Sequence, residues 1–330
     1  MLCAACEGPG YERLQGETMG TYYSVSYRAS ATCRPDAQHL AGTLERINAV
    51  MSTYLDTSEL SRFNASRQLS PAAVSNELWN VLQAAANVHL HSGGAFDVTV
   101  GPLVNLWGFG PARVTEAPTT AAVAEARSRI GMDKLRIGEA TLAKEIPDLY
   151  VDLSALAKGY AVDALTAQLI EARCRDFMVD IGGELRVRGD SARGGAWRVG
   201  IEVPAAGAFG ALHNVVEIRD LAVATSGDYR NFRVFDGVRI DHVIDPRSGE
   251  PADNRVVSVT VIHPEAMYAD AYATAIMVLG AEDGIALADS QGFATYILSR
   301  IDDSAGTQHD EPRFEVRYNE AMRRYLRDTP

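Results

Sequence analysis

The chain has 330 residues, 47% of them hydrophobic, enough for a large buried core in one big domain or in two that share an interface. Its formal net charge of −12, from 31 basic and 43 acidic residues, argues against nucleic acid or an anionic membrane as the main partner. It has no apolar run of the roughly 18 residues that a spanning helix needs, and any anionic ligand must be held by local groups against the overall field.

The four cysteines stand at 3, 6, 33 and 174, a spacing that fits no zinc pattern. They are able to form disulfides, although a chain of this length does not need them. The opening Met1-Leu-Cys-Ala-Ala-Cys6-Glu-Gly has two readings. It is either the remnant of a lipoprotein signal, with Cys6 as the lipid-bearing residue, or a short tail.

Gly16–Thr21 is expected to be a tight polar turn leading into a strand over Tyr22–Arg28. Met19, among small residues in that turn, suits a lid over a flat ring, or a gap-filling core role. Leu40, Leu44, Ile47 and Met51 fall on one helix face, and the helix leads into Met51-Ser-Thr-Tyr54. A second helix carries Leu78, Val81, Leu82, Ala85 and Val88 and stops at Gly93-Gly94. Ala95–Gly110 reads as a strand-like run with one charge, Asp97. That carboxylate must find donors, from a ligand or from a local turn. Thr120–Ile130 is expected to be helical, with Gly131 as its stop.

Val151–Leu153 reads as a short strand and Ser154 as the N-cap of a helix running to about Glu171. Lys158 then lies near the first turn, where a cation opposes the helix dipole. A phosphate held between Lys158 and the free backbone amides offsets that cost, whereas an exposed lysine simply tolerates it. Phe177–Ile181 and Glu184–Arg188 are strands joined by Gly182-Gly183. Strands at Trp197–Val203, Val215–Ile218 and Leu221–Thr225 precede a polar loop over Ser226–Asn231. Asp236-Gly237 then signals a hairpin that delivers the chain to His242.

His242–Glu250 is a strand end opening into a turn forced by Pro246 and Gly249. His242 is either a candidate general base or a packed strand-end histidine. A strand over Arg255–Ile262 leads to a helix from Pro264-Glu265 to about Leu279. On it Asp270 and Thr274 lie four apart and share a face. They suit a hard cation such as Mg²⁺, or else are a solvated Asp and a back-bonding Thr. Ala281–Ala288 is expected as helix, Phe293–Leu298 as strand, and Phe314–Leu326 as strand then short helix. There is no P-loop, and no Gly-x-Gly-x-x-Gly in a strand-to-helix context. The whole reads as α+β with mostly antiparallel sheets packed with helices.

Eight segments stand in a fixed order: Thr18–Thr21, Met51–Tyr54, Phe96–Gly110, Val151–Asp163, Val179–Gly183, Thr225–Asp228, His242–Gly249 and Ala269–Thr274. Together they resemble the ApbE family, whose members are FAD:protein FMN transferases. The resemblance implies a T-fold-like ApbE fold over residues 14–300, with a ligand cleft between subdomains. Residues 1–13 are then a tail or signal remnant, and 301–330 a C-terminal extension packed on the same domain. It also implies a Mg²⁺-dependent reaction in which FAD is split at its pyrophosphate, FMN is esterified to a Thr or Ser of an acceptor flavoprotein, and AMP leaves. Subunits of membrane redox complexes are the kind of acceptor implied.

Carried over by residue, Met19 and Tyr54 flank the flavin or adenine rings, Asp97, Asp152 and Ile244 contact FAD, and Lys158 holds its phosphates. Thr225, Ser226, Gly227 and Asp228 shape the nucleotide pocket. The backbone carbonyl of Ala155, Asp270 and Thr274 bind Mg²⁺, and His242 takes the acceptor's proton. The expected location is the periplasmic side of the bacterial inner membrane, with an anchor at Cys6 as the only membrane link and the cytoplasm as the alternative. Two other functions compete. One is an FAD pyrophosphatase with water as acceptor, releasing FMN and AMP. The other is a non-catalytic flavin-binding protein, which has no use for a metal or a base.

Overall fold

The computed structural model describes residues 10–109, 114, 116–204, 211–227, 232–235, 238–241, 243–252, 254–301 and 313–327. His242, Asp228, Cys3 and Cys6 lie outside the described residues. In chain order the elements are β1 (Tyr11–Thr18), β2 (Thr21–Arg28), α1 (Ala37–Met51), α2 (Glu59–Ala65), β3 (Ala72–Ala73), α3 (Asn76–His91), α4 (Gly101–Leu106) and α5 (Thr120–Ser128). Then come β4 (Leu135–Gly138), β5 (Thr141–Lys144), α6 (Ala157–Glu171), β6 (Phe177–Ile181), β7 (Glu184–Arg188), β8 (Trp197–Glu202), β9 (Leu212–Ile218) and β10 (Ala222–Gly227). The remainder is β11 (Phe232–Phe235), β12 (Val238–Asp241), β13 (Val256–His263), α7 (Ala266–Leu279), α8 (Ala281–Gln291), β14 (Ala294–Arg300), β15 (Phe314–Tyr318) and α9 (Glu320–Arg323).

One eight-stranded sheet, in the order β1-β2-β6-β7-β10-β13-β14-β15, organises the chain, and its neighbouring strands pair antiparallel. Its central strands are apolar almost throughout: every residue of β6 is buried, as are Val256–Ile262 of β13. That pattern belongs to a sheet covered on both faces. On one face, Val179, Val259 and Val261 pack with residues of α1, α3, α6 and α7, including Leu44, Leu82, Leu165 and Ile276. On the other, Met178, Leu185 and Ile262 pack under the β8–β9 hairpin through Trp197, Val199 and Val216, with Met322 of α9 closing the layer. Each such fully buried aliphatic side chain stabilises the fold by about 1.5–3 kcal/mol before entropy is counted.

Local chemistry sets the helix starts. Asp36, Ser58, Ser75 and Thr119 are N-caps whose side chains accept from Gln38, Ser61, Leu78 and Ala122 amides. Such caps contribute about 1 kcal/mol each. α7 is different, because its own N-cap, Glu265, makes no side-chain cap bond. Asp163 of α6 supplies the bonds instead, accepting from Ala266 N at 3.0 Å and Met267 N at 2.9 Å. At the other end Asn254 Nδ2 donates to the carbonyls of Met277 and Val278 at 2.9 and 3.2 Å. Both ends of α7 are therefore satisfied by side chains from elsewhere.

Several segments differ from the sequence expectation. Of the run Ala95–Gly110, the described residues 95–109 hold no strand. They form a turn followed by α4, because Pro102 sits at the first helical turn, where its fixed φ and missing N–H are tolerated. Val151–Leu153 pairs with no strand. Its Val151 is held by Asn64, whose amide donates to Val151 O at 2.8 Å and whose oxygen accepts from Val151 N at 2.9 Å. Ser154 is not the cap of α6: Leu156 occupies that position without a side-chain bond, and Ser154 N donates to Asp152 Oδ1 in an Asx turn. Ser226 and Gly227 belong to β10, not to a loop. β1 is largely polar, and β3, β4 and β5 are only two to four residues long, too short for their periodicity to mark them as strands. Cys33 and Cys174 form a disulfide.

Candidate active site

Two cavities meet beside the start of α6. The first, of about 340 Å³, is lined by Asp97, Asp152, Ala155, Lys158, Glu184, Thr225, Ser226, Gly227, Ile244, Asp270 and Thr274, among others. The second, of about 500 Å³, is lined by Met19, Gly20, Ile47, Met51, Tyr54, Asp152, Ser154, Ala157 and Lys158, among others. Asp152, Ser154 and Lys158 line both, so they mark the junction. Each volume falls within the range of small-molecule sites. Of the residues singled out from the sequence, Met19 and Tyr54 thus sit in one chamber, most of the rest in the other, and Asp152 and Lys158 between them.

The second chamber opens under the β1–β2 hairpin. Met19 and Gly20 form its two-residue tip with φ of 49° and 72°, the left-handed pair that matches strand twist in a tight hairpin. A methionine there is strained, and the turn fixes it at the cavity wall. Tyr54, which also lines this chamber, is 93% exposed, so its ring is left largely unpacked.

In the first chamber, Asp97 is engaged by its own turn and by the backbone after α5. Its carboxylate accepts from Thr99 N at 2.7 Å, Thr99 Oγ1 at 2.5 Å and Met132 N at 3.2 Å. Thr99 in the local turn supplies two of the donors that a buried carboxylate requires, and Met132, beyond α5, supplies the third. Asp152 is held through its amide, which donates to Val98 O at 2.7 Å.

Asp270 is buried and therefore not a solvated surface acid. Its Oδ2 accepts from Gly159 N at 3.2 Å. Thr274 does not stand alone either: its hydroxyl lies 3.3 Å from the Ser226 hydroxyl, across from β10. A carboxylate and a hydroxyl one turn apart, facing a cavity, are hard oxygen donors. Among the described residues no group of three or more His, Cys, Asp or Glu gathers as a metal cage. The donor set therefore suits a cation that keeps water and substrate oxygens, such as Mg²⁺, better than one that needs an all-protein cage.

Glu184 is the residue that sequence reading missed. It is the first residue of β7, placed by a two-residue turn at Gly182 and Gly183 with φ of 60° and 105°. A Cβ on Gly182 would lie 2.7 Å from Thr21 Cγ2, so glycine also lets the hairpins approach. Glu184 is buried, and its Oε2 lies 2.6 Å from Lys158 Nζ. The signal in the sequence is only its alternation with Leu185 beyond a glycine pair, which does not distinguish it from a surface acid.

Burial and charge act together on this cluster. Desolvation pushes Glu184 up to about 8; Lys158 opposes that rise and Asp270 adds to it. Asp270 is raised by burial, against the pull of Lys158 and the Gly159 amide. For Lys158, burial works against the ammonium, but Asp270 and Glu184 outweigh it and hold its pKa above the usual lysine value. Two buried carboxylates share one ammonium, an arrangement that a divalent cation relieves.

The model of the ApbE family matches residues 19–297. The FAD:protein FMN transferase of Vibrio cholerae is 43% identical over 311 residues, covering 92% of this chain and 92% of that relative. The protein of the same name from Haemophilus influenzae is 38% identical over 305 residues, covering 89% and 88%. Among solved structures, the flavin transferase ApbE from Vibrio cholerae superposes with a TM-score of 0.84 at 40% identity, covering 96% of this chain and 99% of that one. The flavinyl transferase ApbE of Pseudomonas stutzeri, in its apo form, gives 0.83 at 34% identity, covering 94% and 95%.

Proposed function

This chain belongs to the ApbE family, and we propose that it is a Mg²⁺-dependent FAD:protein FMN transferase. The observation that carries the reading is the pair of chambers joined at Lys158, with Asp270 and Thr274 on the wall of one. A dinucleotide has two ring systems joined by a pyrophosphate. With one ring system in each chamber, the pyrophosphate passes the junction, where Lys158 supplies positive charge at the first turn of α6.

The chemistry asked of these residues is mainly positioning and charge neutralisation. The acceptor's Thr or Ser oxygen forms a bond to the phosphorus on the FMN side. The bond from that phosphorus to the bridging oxygen breaks, and AMP leaves with it. The acceptor's proton goes to His242 by the family resemblance. Lys158 stabilises the charge that develops on the phosphate oxygens. Asp270, Thr274 and the Ala155 carbonyl are the groups to hold Mg²⁺, which when bound neutralises pyrophosphate charge. Asp152 and Ile244 line the nucleotide's path, and Met19 and Tyr54 bound the second ring site.

The acceptor is a flavoprotein with a Thr or Ser flavinylation motif. We place the reaction on the periplasmic side of the inner membrane. The Cys33–Cys174 disulfide supports that placement, since such bonds persist in oxidising compartments.

The test incubates the protein with FAD, Mg²⁺ and an acceptor bearing a Thr in such a motif. Flavin fluorescence that stays with the acceptor in a denaturing gel is the expected result. FMN and AMP without labelled acceptor would favour a pyrophosphatase, and absence of FAD turnover would overturn both. Asp270→Ala is expected to remove the Mg²⁺ dependence together with turnover while the folded spectrum persists.

A further inference from the structure

Lys158 has four rotatable side-chain bonds, and a lysine near a cavity mouth ordinarily samples many positions. Here it does not have that freedom. Glu184 Oε2 lies 2.6 Å from its Nζ, inside the wall of the first chamber. Two residues along the same strand, Arg186 lies 2.6 Å from Asp163, five residues after Lys158 on α6. β7 thus presents acid then base, and α6 presents base then acid. The two pairs form only in one register of helix against strand. Glu184 itself is fixed at its backbone by the Gly182-Gly183 turn, which pairs Ile181 with Glu184.

We propose that Glu184 is a positioning residue that holds the Lys158 ammonium at the junction of the two chambers, where it meets the pyrophosphate of FAD. This rests on the flavin-transferase reading of the site. Glu184 acts through Lys158 and forms no bond to the nucleotide. Its carboxylate keeps the lysine extended across the junction instead of folded out toward solvent. The pyrophosphate then meets a cation already in place, so little ordering is left to occur on binding.

The experiment measures binding of ADP and of riboflavin, each with Mg²⁺ present, to the wild type, Glu184→Ala, Glu184→Gln, Lys158→Met and the Lys158→Met/Glu184→Ala double variant. ADP carries the pyrophosphate, and riboflavin carries no phosphate. Glu184→Ala is expected to weaken ADP by roughly 10-fold or more, the scale typical of residues that orient a binding group, with riboflavin unchanged. Glu184→Gln retains an acceptor for the ammonium and is expected to recover most of the loss. The double variant is expected to bind ADP no worse than Lys158→Met alone, because Glu184 has nothing left to aim.

Three results would overturn the proposal: wild-type ADP affinity in Glu184→Ala, equal losses for ADP and riboflavin, or additive losses in the double variant. Equal losses would mark Glu184 as a residue that merely holds the fold, and a matching fall in melting temperature would accompany them. Should Glu184→Ala fail to fold, Glu184→Leu, which also lacks an acceptor but fills the space, takes its place in the same ADP-to-riboflavin comparison against Lys158→Met. A wild type that binds neither FAD nor ADP would overturn the flavin-transferase reading itself, a result distinct from the other three.

Discussion

The backbone amide of Gly159 donates to the Asp270 carboxylate at 3.2 Å, which joins the helix carrying Lys158 to the helix carrying Asp270 and Thr274. The contact exists because residue 159 has no side chain. A Cβ there would lie 2.4 Å from the Ala266 carbonyl oxygen and 2.6 Å from Met267 Cα. Two effects oppose each other in Gly159→Ala. Helix propensity favours alanine by about 1 kcal/mol. Overpacking against backbone costs about 1–3 kcal/mol, and backbone cannot step aside as a flexible side chain can. The clash is expected to win, so the variant should unfold at lower urea with an unchanged m-value. Turnover should fall further than stability does, because α6 and α7 carry the two halves of the site. A variant more stable than wild type would refute this account of the packing.

α7 is positioned from outside at both ends. Asp163 accepts from two of its first amides and pairs with Arg186 at 2.6 Å. Asp163→Asn leaves one acceptor oxygen and turns an NH₂ toward a backbone donor. The expected cost is about 2 kcal/mol, since a charged acceptor and its partner are both affected. Asn254→Ala at the far end leaves two carbonyls without their donor and is expected to cost about 1 kcal/mol. Equilibrium denaturation of the two single variants and the double variant checks both. The sites are remote, so the losses should add; strong coupling between them would show that α7 does not respond end by end.

The same residues explain how much of this was legible in the sequence. Lys158 at a helix start and Asp270 four before Thr274 are local patterns, and both landed on the cavity wall. β6 and β13 were legible because their apolar runs are nearly continuous, and β7 because Leu185 and Val187 alternate with charged residues after a glycine pair. Ala95–Gly110 was misread because apolar residues in a short run do not distinguish strand from helix, and Pro102 decided the matter. Glu184, Asp163 and Asn254 act across long sequence distances. Whether a glutamate after two glycines is buried depends on what α6 brings to it, and no local pattern carries that information. β1 escaped because its side chains are largely polar, and its pairing with β2 makes it a strand.

His263 gives a pH dependence whose sign is fixed by its surroundings. It packs among Tyr268, Tyr272 and Phe293, with ring centroids 5.4, 6.1 and 6.4 Å away, and its Nδ1 accepts from Glu265 N at 3.0 Å. Burial lowers its pKa from the ordinary histidine value of 6.5, and Arg186 lowers it too; the Glu265 carbonyl, 3.1 Å from Nδ1, and Asp163 pull it back up. In the unfolded chain the ring takes its proton as pH falls through 6.5; in the fold it resists until lower pH. The unfolded state therefore binds more protons in that window, and stability is lost as pH falls below 6.5. Replacement by Phe, which titrates nothing, should flatten this part of the profile. Urea midpoints at several pH values between about 7 and 5 measure it. A wild type and a His263→Phe variant with parallel profiles would remove His263 from the explanation.

The Cys33–Cys174 disulfide closes a loop of 141 residues between the segment before α1 and the segment after α6. Both sulfurs are buried, each residue being 2% exposed. Disulfides contribute mainly by restricting the unfolded chain, typically by about 2–4 kcal/mol, and more for long loops. Cys33→Ser with Cys174→Ser is expected to lose at least that much, since burying two hydroxyls adds a cost to the lost cross-link. The site should remain competent at moderate temperature. Lys158 sits in the first turn of a 15-residue helix whose far end precedes Cys174, a distance of roughly 20 Å at 1.5 Å per residue. The measurement pairs denaturation curves with FAD turnover for the wild type and the double-serine variant. Lost turnover at a temperature where the variant is still folded would show that the cross-link acts on the site itself.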